Sequence, residues 1–238
     1  YLGVLFEEKK DYERAGKEFK KALKLKGDFL DSYLHLGYIY SEINEKRKAL
    51  KVFKKATEIK PDNAQVWFFL GLAYNGIEDY KKAISSFQRS LSLNSKDGAV
   101  HFNLGVTCDK RRDFERAVDN FRKAIELNPK LANAYNYLGY LYIERGINLE
   151  ESMGLVEKAL GIEPENGYFL DSLAWGYYQK GDYEKALELL EKAILFISDD
   201  PIIFDHLGDA YRKKGLLEKA LNSWEKSYEL KKDKKVKK

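Results

Sequence analysis

The sequence repeats itself. The dipeptide Leu-Gly stands at Leu2-Gly3, Leu36-Gly37, Leu70-Gly71, Leu104-Gly105, Leu138-Gly139 and Leu207-Gly208, and Leu173-Ala174 fills the one gap. The intervals are 34, 34, 34, 34, 35 and 34 residues in a chain of 238. A fixed period of this length sets aside most globular architectures. Each copy is one supersecondary unit that buries its apolar face only against its neighbours.

Other positions keep the same register. Three residues after each Gly or Ala come Phe6, Tyr40, Tyr74, Cys108, Tyr142, Tyr177 and Tyr211. A small residue and a bulky one follow, as Ala15/Phe19, Ala49/Phe53, Ala83/Phe87, Ala117/Phe121, Ala186/Leu190 and Ala220/Trp224. A second small residue closes each copy: Ala22, Ala56, Ser90, Ala124, Ala159, Ala193 or Ser227. The apolar spacing of three and four predicts two helices per copy, A and B. Gly inside helix A costs about 1 kcal/mol against Ala, so keeping it there predicts the close approach of another helix. Pro61, Pro129, Pro164 and Pro201 fall at the junctions, where they are expected to stop helix B.

The Leu-Gly-x-x-Tyr, Ala-x-x-x-Phe and Pro pattern resembles the tetratricopeptide repeat, in a bacterial type, over nearly the whole chain. The resemblance implies an all-α fold, a right-handed superhelical α-solenoid of helix–turn–helix repeats. One solenoid is expected over 1–234, with copies at 1–29 (partial), 30–63, 64–97, 98–131, 132–166, 167–200 and 201–234, and a basic tail at 235–238. The fifth copy is one residue longer, at Arg145-Gly146-Ile147-Asn148-Leu149-Glu150-Glu151, with Ser152 and Val156 replacing the usual small residue and Phe. That insertion is expected to change local packing, either as neutral drift in a turn or as a bend after the fifth repeat. The long turn with Leu170-Asp171-Ser172-Leu173-Ala174-Trp175 looks like a subtype found in bacterial cell-envelope proteins.

Composition narrows the function. The net charge is +4, but the last eight residues carry +5, which leaves the body at −1. That is not the electrostatic footprint of a nucleic-acid-binding domain, so no nucleic-acid partner is expected. No apolar run approaches the length of a membrane span, so no membrane insertion is expected. The one cysteine excludes a disulfide framework. Phosphate-binding Gly-rich loops are missing. His35, His101 and His206 lack metal-ligand spacing, and Cys108 reads as a small core residue. The paired carboxylates Glu150/Glu151 and Asp199/Asp200 fall at turns and helix starts, where they favour the helix dipole. No catalytic residue, metal or cofactor is expected, and the chain reads as a non-enzyme.

A binding role then rests on the concave groove that the resemblance assigns to helix A. Helical geometry gives a stripe through each A helix, from Asp31, Leu34, Tyr38 and Ser41 in the second copy to Ile202, Asp205, Asp209 and Arg212 in the seventh. The partner-binding candidates on it are Phe68, Leu72, Asn75, Phe102, Val106, Asp109, Asn136, Tyr140, Asp171, Trp175, Asp205 and Asp209. Its centre is apolar and aromatic, and three Asp crowd its C-terminal end. The pattern predicts a protein or peptide partner with apolar or aromatic anchors and a Lys or Arg beyond them. The clamp with which some relatives grip a C-terminal carboxylate resembles a set of Lys, Arg and Asn. The stripe has no Lys, so that activity is not expected.

The alternative is a substrate-recognition or assembly arm of a larger enzyme or cell-envelope or secretion complex. The chain begins as if inside a helix, so a fragment or processed form is expected. Localisation is left open between bacterial cytoplasm and cell envelope. The last helix carries Leu217, Leu221, Trp224 and Tyr228 without a polar cap. Truncation accounts for that, or self-association through uncapped terminal repeats.

Overall fold

In the computed structural model the backbone is described for residues 2–236 and the side chains for 2–232. The basic tail expected at 235–238 has its side chains, and Lys237 and Lys238 altogether, outside the described residues. Helices account for the described elements, and contacts divide the chain into two compact units at the Leu127–Asn128 junction. That division precedes the long-turn repeat.

The first unit holds α1 (Leu2–Glu8), α2 (Tyr12–Leu25), α3 (Leu30–Glu42), α4 (Lys46–Ile59), α5 (Ala64–Gly76), α6 (Tyr80–Leu93), α7 (Gly98–Lys110) and α8 (Phe114–Leu127). The second holds α9 (Ala132–Ile143), α10 (Leu149–Ile162), α11 (Gly167–Lys180), α12 (Tyr183–Phe196), α13 (Pro201–Lys213) and α14 (Leu217–Val236). In both, consecutive helices pair as A–B hairpins, and each B helix packs on the A helix that follows it within the unit.

The Gly of helix A faces the bulky residue of its own helix B. A Cβ built on Gly71 would lie 2.5 Å from Phe87 Cε1, and on Gly105 2.8 Å from Phe121 Cδ1. Gly3 meets Phe19, Gly37 meets Phe53 and Gly208 meets Trp224 in the same way. The ring therefore lies directly on helix A's backbone, and Phe87 and Phe121 are fully buried there. The helix-B alanines Ala15, Ala49, Ala83, Ala117, Ala186 and Ala220 are buried as well.

Turns and caps explain where the helices end. Between A and B one residue adopts left-handed backbone, at Lys10, Asn44, Glu78, Arg112, Gly146, Gly181 and Gly215. Glycine supplies that conformation in the last three, Asn44 tolerates it, and Lys10, Glu78 and Arg112 bear its strain in a short turn. Side chains then accept from free helix-start N–H groups: Asp11 from Arg14, Asp79 from Lys82 and Asp182 from Lys185 at B helices, and Asn63, Asp97, Asn166 and Asp200 at A helices. Pro61 and Pro164 follow their B helices by two residues, as expected. Pro201 instead opens α13 at its first turn, where its missing N–H needs no partner.

The extra residue of the fifth repeat adds a second left-handed position, Asn148 at φ 43°, after Gly146. Its side chain makes no cap; instead Ser152 Oγ donates to the Ile147 and Asn148 carbonyls, at 2.7 and 2.9 Å. With Val156 in place of a ring, the helix backbones come closer. A Cβ on Gly139 would stand 2.7 Å from the Ser152 carbonyl oxygen.

Hairpins are joined by side chains as well as by apolar burial. In the first unit Lys20 and Lys48 both lie 5.6 Å from the Tyr40 ring centre, and Lys54 and Lys82 stand likewise over Tyr74. Each such contact contributes roughly 0.5–1 kcal/mol at an exposed site. Within single hairpins, Ser90 Oγ donates to the Ala64 carbonyl at 2.8 Å, and in the second unit Ser227 Oγ donates to that of Pro201 at 2.7 Å.

Two glycines of α5 give opposite expectations. Gly71→Ala forces a methyl into Phe87, and overpacking of this kind costs about 1–3 kcal/mol, against a helix-propensity gain of roughly 1. Gly76 has nothing within 4 Å of a built Cβ, so Gly76→Ala keeps only the gain. Thermal melting is expected to fall for the first and hold or rise for the second.

Candidate functional site

The stripe residues are set by the A helices of each unit. In the first unit, Phe68 on α5 is half-buried, its ring tilted 5.6 Å from Phe69 and 6.0 Å from Phe87. Phe102 on α7 leans likewise on Phe121 at 5.9 Å. The two stripe rings thus rest on the buried rings that Gly71 and Gly105 admit. Phe68 also lines a shallow depression of about 530 Å³ with Asn63, Gln65, Phe69, Asn94 and Asp97. Leu72, Val106 and Asp109 are half-buried. Asn75 Nδ2 donates to Thr107 Oγ1 at 2.8 Å, tying α5 to α7, and Thr107 is buried and also donates to the Asn103 carbonyl at 2.7 Å.

In the second unit the stripe is less exposed than helical geometry alone implies. Ile143, a stripe position, is wholly buried in a core with Met153, Val156 and Phe169. Asn136 is 7% exposed, and its Oδ1 has no hydrogen-bond partner. Tyr140 is half-buried on α9. Asp171 is also 7% exposed, and it meets His206 of α13. His206 Nδ1 lies 2.8 Å from Asp171 Oδ1. Its ring is parallel to Trp175 at 4.3 Å, and Trp175 is parallel to Tyr178 at 4.7 Å. Asp205 is engaged by Lys231 of α14. Of the three Asp expected to form an acidic end, two already face a cationic or hydrogen-bonding partner, and half-buried Asp209 stands one turn beyond His206.

His206 is a neighbour of the candidate site that sequence reading named only as a histidine without metal-ligand spacing. Its signal was positional. It precedes the motif Leu, as Phe69 and His35 do, and those two stack on Phe53 at 5.4 Å and on Phe19 at 4.6 Å. In these three repeats the position carries a ring that reaches back to the preceding hairpin. Burial pushes the His206 imidazole down, but the hydrogen bond and charge of Asp171, with Asp209 and Asp205 behind it, outweigh burial and hold it above the ordinary histidine value. When protonated, the ring stacked on Trp175 has a favourable cation–π geometry.

The remaining reactive groups are structural. His101 Nδ1 lies 2.9 Å from Asn120 Oδ1. Cys108 is fully buried, and burial pushes its thiol up, away from the reactive thiolate. Among the described residues no group of three His, Cys, Asp or Glu could hold a metal ion, and no helix is long and apolar enough to cross a membrane. The face of α14 exposes Leu217, Leu221 and Tyr228.

A group whose value is raised on folding stabilises fully below its unfolded value and loses that contribution as pH climbs through the folded one. His206→Gln is therefore expected to lower the melting temperature most near about pH 6 and least near about pH 9. A difference from the native chain that is flat, or that grows with pH, contradicts the pairing with Asp171.

Comparison with known proteins gives a consistent result. A family profile described as tetratricopeptide repeat matches residues 2–29, 30–63, 64–97 and 203–234, and two others of that description match 98–131 and 120–153. A profile described as TPR repeat matches 177–215. The solved structure of YrrB, described as a TPR protein with an unusual peptide-binding site, is 26% identical, covering 78% of this chain and 95% of its own, with a TM-score of 0.58. A tetratricopeptide repeat protein from Parabacteroides merdae is 19% identical over 96% of this chain and 90% of its own, with a TM-score of 0.78. A thermophilic TPR protein from Thermus thermophilus is 23% identical over 70% and 91%, with a TM-score of 0.61. Those last two likenesses are of fold. No significant match is found among curated proteins.

Proposed function

This chain belongs to the tetratricopeptide repeat family, and on that premise we propose that it is a non-enzymatic scaffold that binds a peptide or protein segment on the face of the A helices within each unit. The observation that carries this reading is the set of half-buried apolar and aromatic side chains on that face. They are Phe68, Leu72, Phe102 and Val106 in the first unit, and Tyr140 and Trp175 in the second. Partly exposed rings over a rigid core supply contact area at low entropic cost, which is the anatomy of binding anchors. YrrB, with its described peptide-binding site, lends the reading support.

The polar candidates take distinct roles. Asn136, buried with an unpaired carbonyl oxygen, accepts a hydrogen bond from a bound segment once its side chain turns outward. Asp109 and Asp209 are the carboxylates left to meet a Lys or Arg of the partner. Asp171 and Asp205 act through His206 and Lys231, which they hold in place. Asn75 fixes α5 against α7. Recognition on this account is led by shape and apolar burial, with charge as a secondary selector.

The test is capture of partners from native lysate by the chain and by the triple variant Phe68→Ala, Phe102→Ala and Tyr140→Ala. Each lost ring removes roughly 1–2 kcal/mol or more of anchoring, so capture is expected to vanish while helicity stays. Undiminished capture by a folded triple variant contradicts the proposal.

A further inference from the structure

In the first unit, α3, α4 and α5 enclose a cleft of about 320 Å³. Its wall is apolar: Ala49, Phe53, Phe69, Leu72 and Ala73. Phe53 and Phe69 are stacked at 5.4 Å and 11°, which holds the wall rigid. Gly76, the last residue of α5, leaves the cleft open, since a Cβ there would meet no atom within 4 Å. The corresponding position, five residues after the motif Gly or Ala, carries Glu8, Glu42, Lys110, Glu144, Gln179 and Lys213 in the other repeats. Gly71 is small because Phe87 leaves no room, but Gly76 has no such need and no left-handed backbone to explain it. A small residue here, where the other repeats carry long polar side chains, leaves the opening clear.

We infer that this cleft is a subsite for one bulky apolar side chain, Phe, Leu or Met, of a bound peptide whose neutral backbone crosses the rim. The inference rests on the peptide-binding reading above. The volume lies at the lower end of the roughly 300–1,000 Å³ of ligand clefts, enough for one side chain with its backbone and too small for a folded element. The rim consists of Tyr38, Ser41, Glu42 and Lys46. Ser41 spends its proton on the Gly37 carbonyl at 3.0 Å, so its oxygen is left to accept. Glu42 takes a weak bond from Tyr12 OH at 3.4 Å and keeps further acceptor capacity. Lys46 donates. A neutral acceptor, an anionic acceptor and a cationic donor suit peptide N–H and C=O groups. An anionic flank would face Glu42 and a cationic one Lys46, so neither charge is selected.

The experiment is saturation-transfer NMR with the N-acetyl methylamides of phenylalanine, leucine and serine as probes. The proteins are the native chain, Gly76→Ala, Gly76→Leu and Gly76→Gln, with circular dichroism and melting to establish folding. The phenylalanine and leucine probes are expected to give signal with the native chain and with Gly76→Ala, and the serine probe none. Gly76→Leu and Gly76→Gln fill the cleft and are expected to weaken that signal roughly tenfold, since the probe loses its apolar burial. Equal signal from all four proteins, or signal no stronger than the serine probe in the native chain, overturns the subsite. The two readings fail separately. Signal that responds to Gly76 while the ring-deleted triple variant still captures its partners counts against the wider face alone. Signal indifferent to Gly76 counts against the cleft whatever the capture shows.

Discussion

The glycine that lets a ring lie on a helix backbone is the contact on which the repeats depend. At Gly3, Gly37, Gly71, Gly105 and Gly208 the built Cβ falls inside the van der Waals envelope of Phe19, Phe53, Phe87, Phe121 or Trp224, always sixteen residues on. That contact sets how close helices A and B stand. It also seats the partly exposed rings, because Phe68 and Phe102 lean on Phe87 and Phe121. The proposed face is thus an outer layer on the same aromatic core, and its shape follows from the glycine. Two repeats vary this contact. In the sixth repeat the Gly becomes Ala174 and the ring becomes Leu190, both buried. In the fifth the ring becomes Val156, and the helix backbones approach instead.

Much of this was legible in the sequence because a repeat averages out local ambiguity. Seven copies fix the helix pairs, the buried alanines and the close glycine. The left-handed residue of the turn was not legible, since Lys10, Asn44, Glu78 and Arg112 are ordinary residues made to adopt it by the turn between two packed helices. Pro201 misled for a related reason, as proline can stop one helix or open the next, and only the loop length decides.

The candidate site was legible in outline and blurred in detail. Helical pitch tells which side chains share a face but not whether the next helix covers them. Ile143 and Asn136 share the stripe and are buried all the same. Counting charges along the stripe likewise overstated its acidity, because the partners of Asp171 and Asp205 come from His206 and Lys231, off the stripe. Gly76 was visible as a letter, but its meaning needed the empty space beside it. On the proposed reading such a face selects first by shape, while His206 ties α13 to α11 through Asp171 and Trp175.

The account's central claim is that glycine and ring are one unit. The direct test is a double-mutant cycle on Gly37 and Phe53, measuring melting or denaturant stability of Gly37→Ala, Phe53→Leu and the two combined. The combined variant copies the native Ala174 and Leu190 pair. The account predicts strong coupling, with the pair destabilised by clearly less than the sum of the single changes. Simple additivity would contradict it, and would leave the glycine as a local feature of helix A with no hold on the ring.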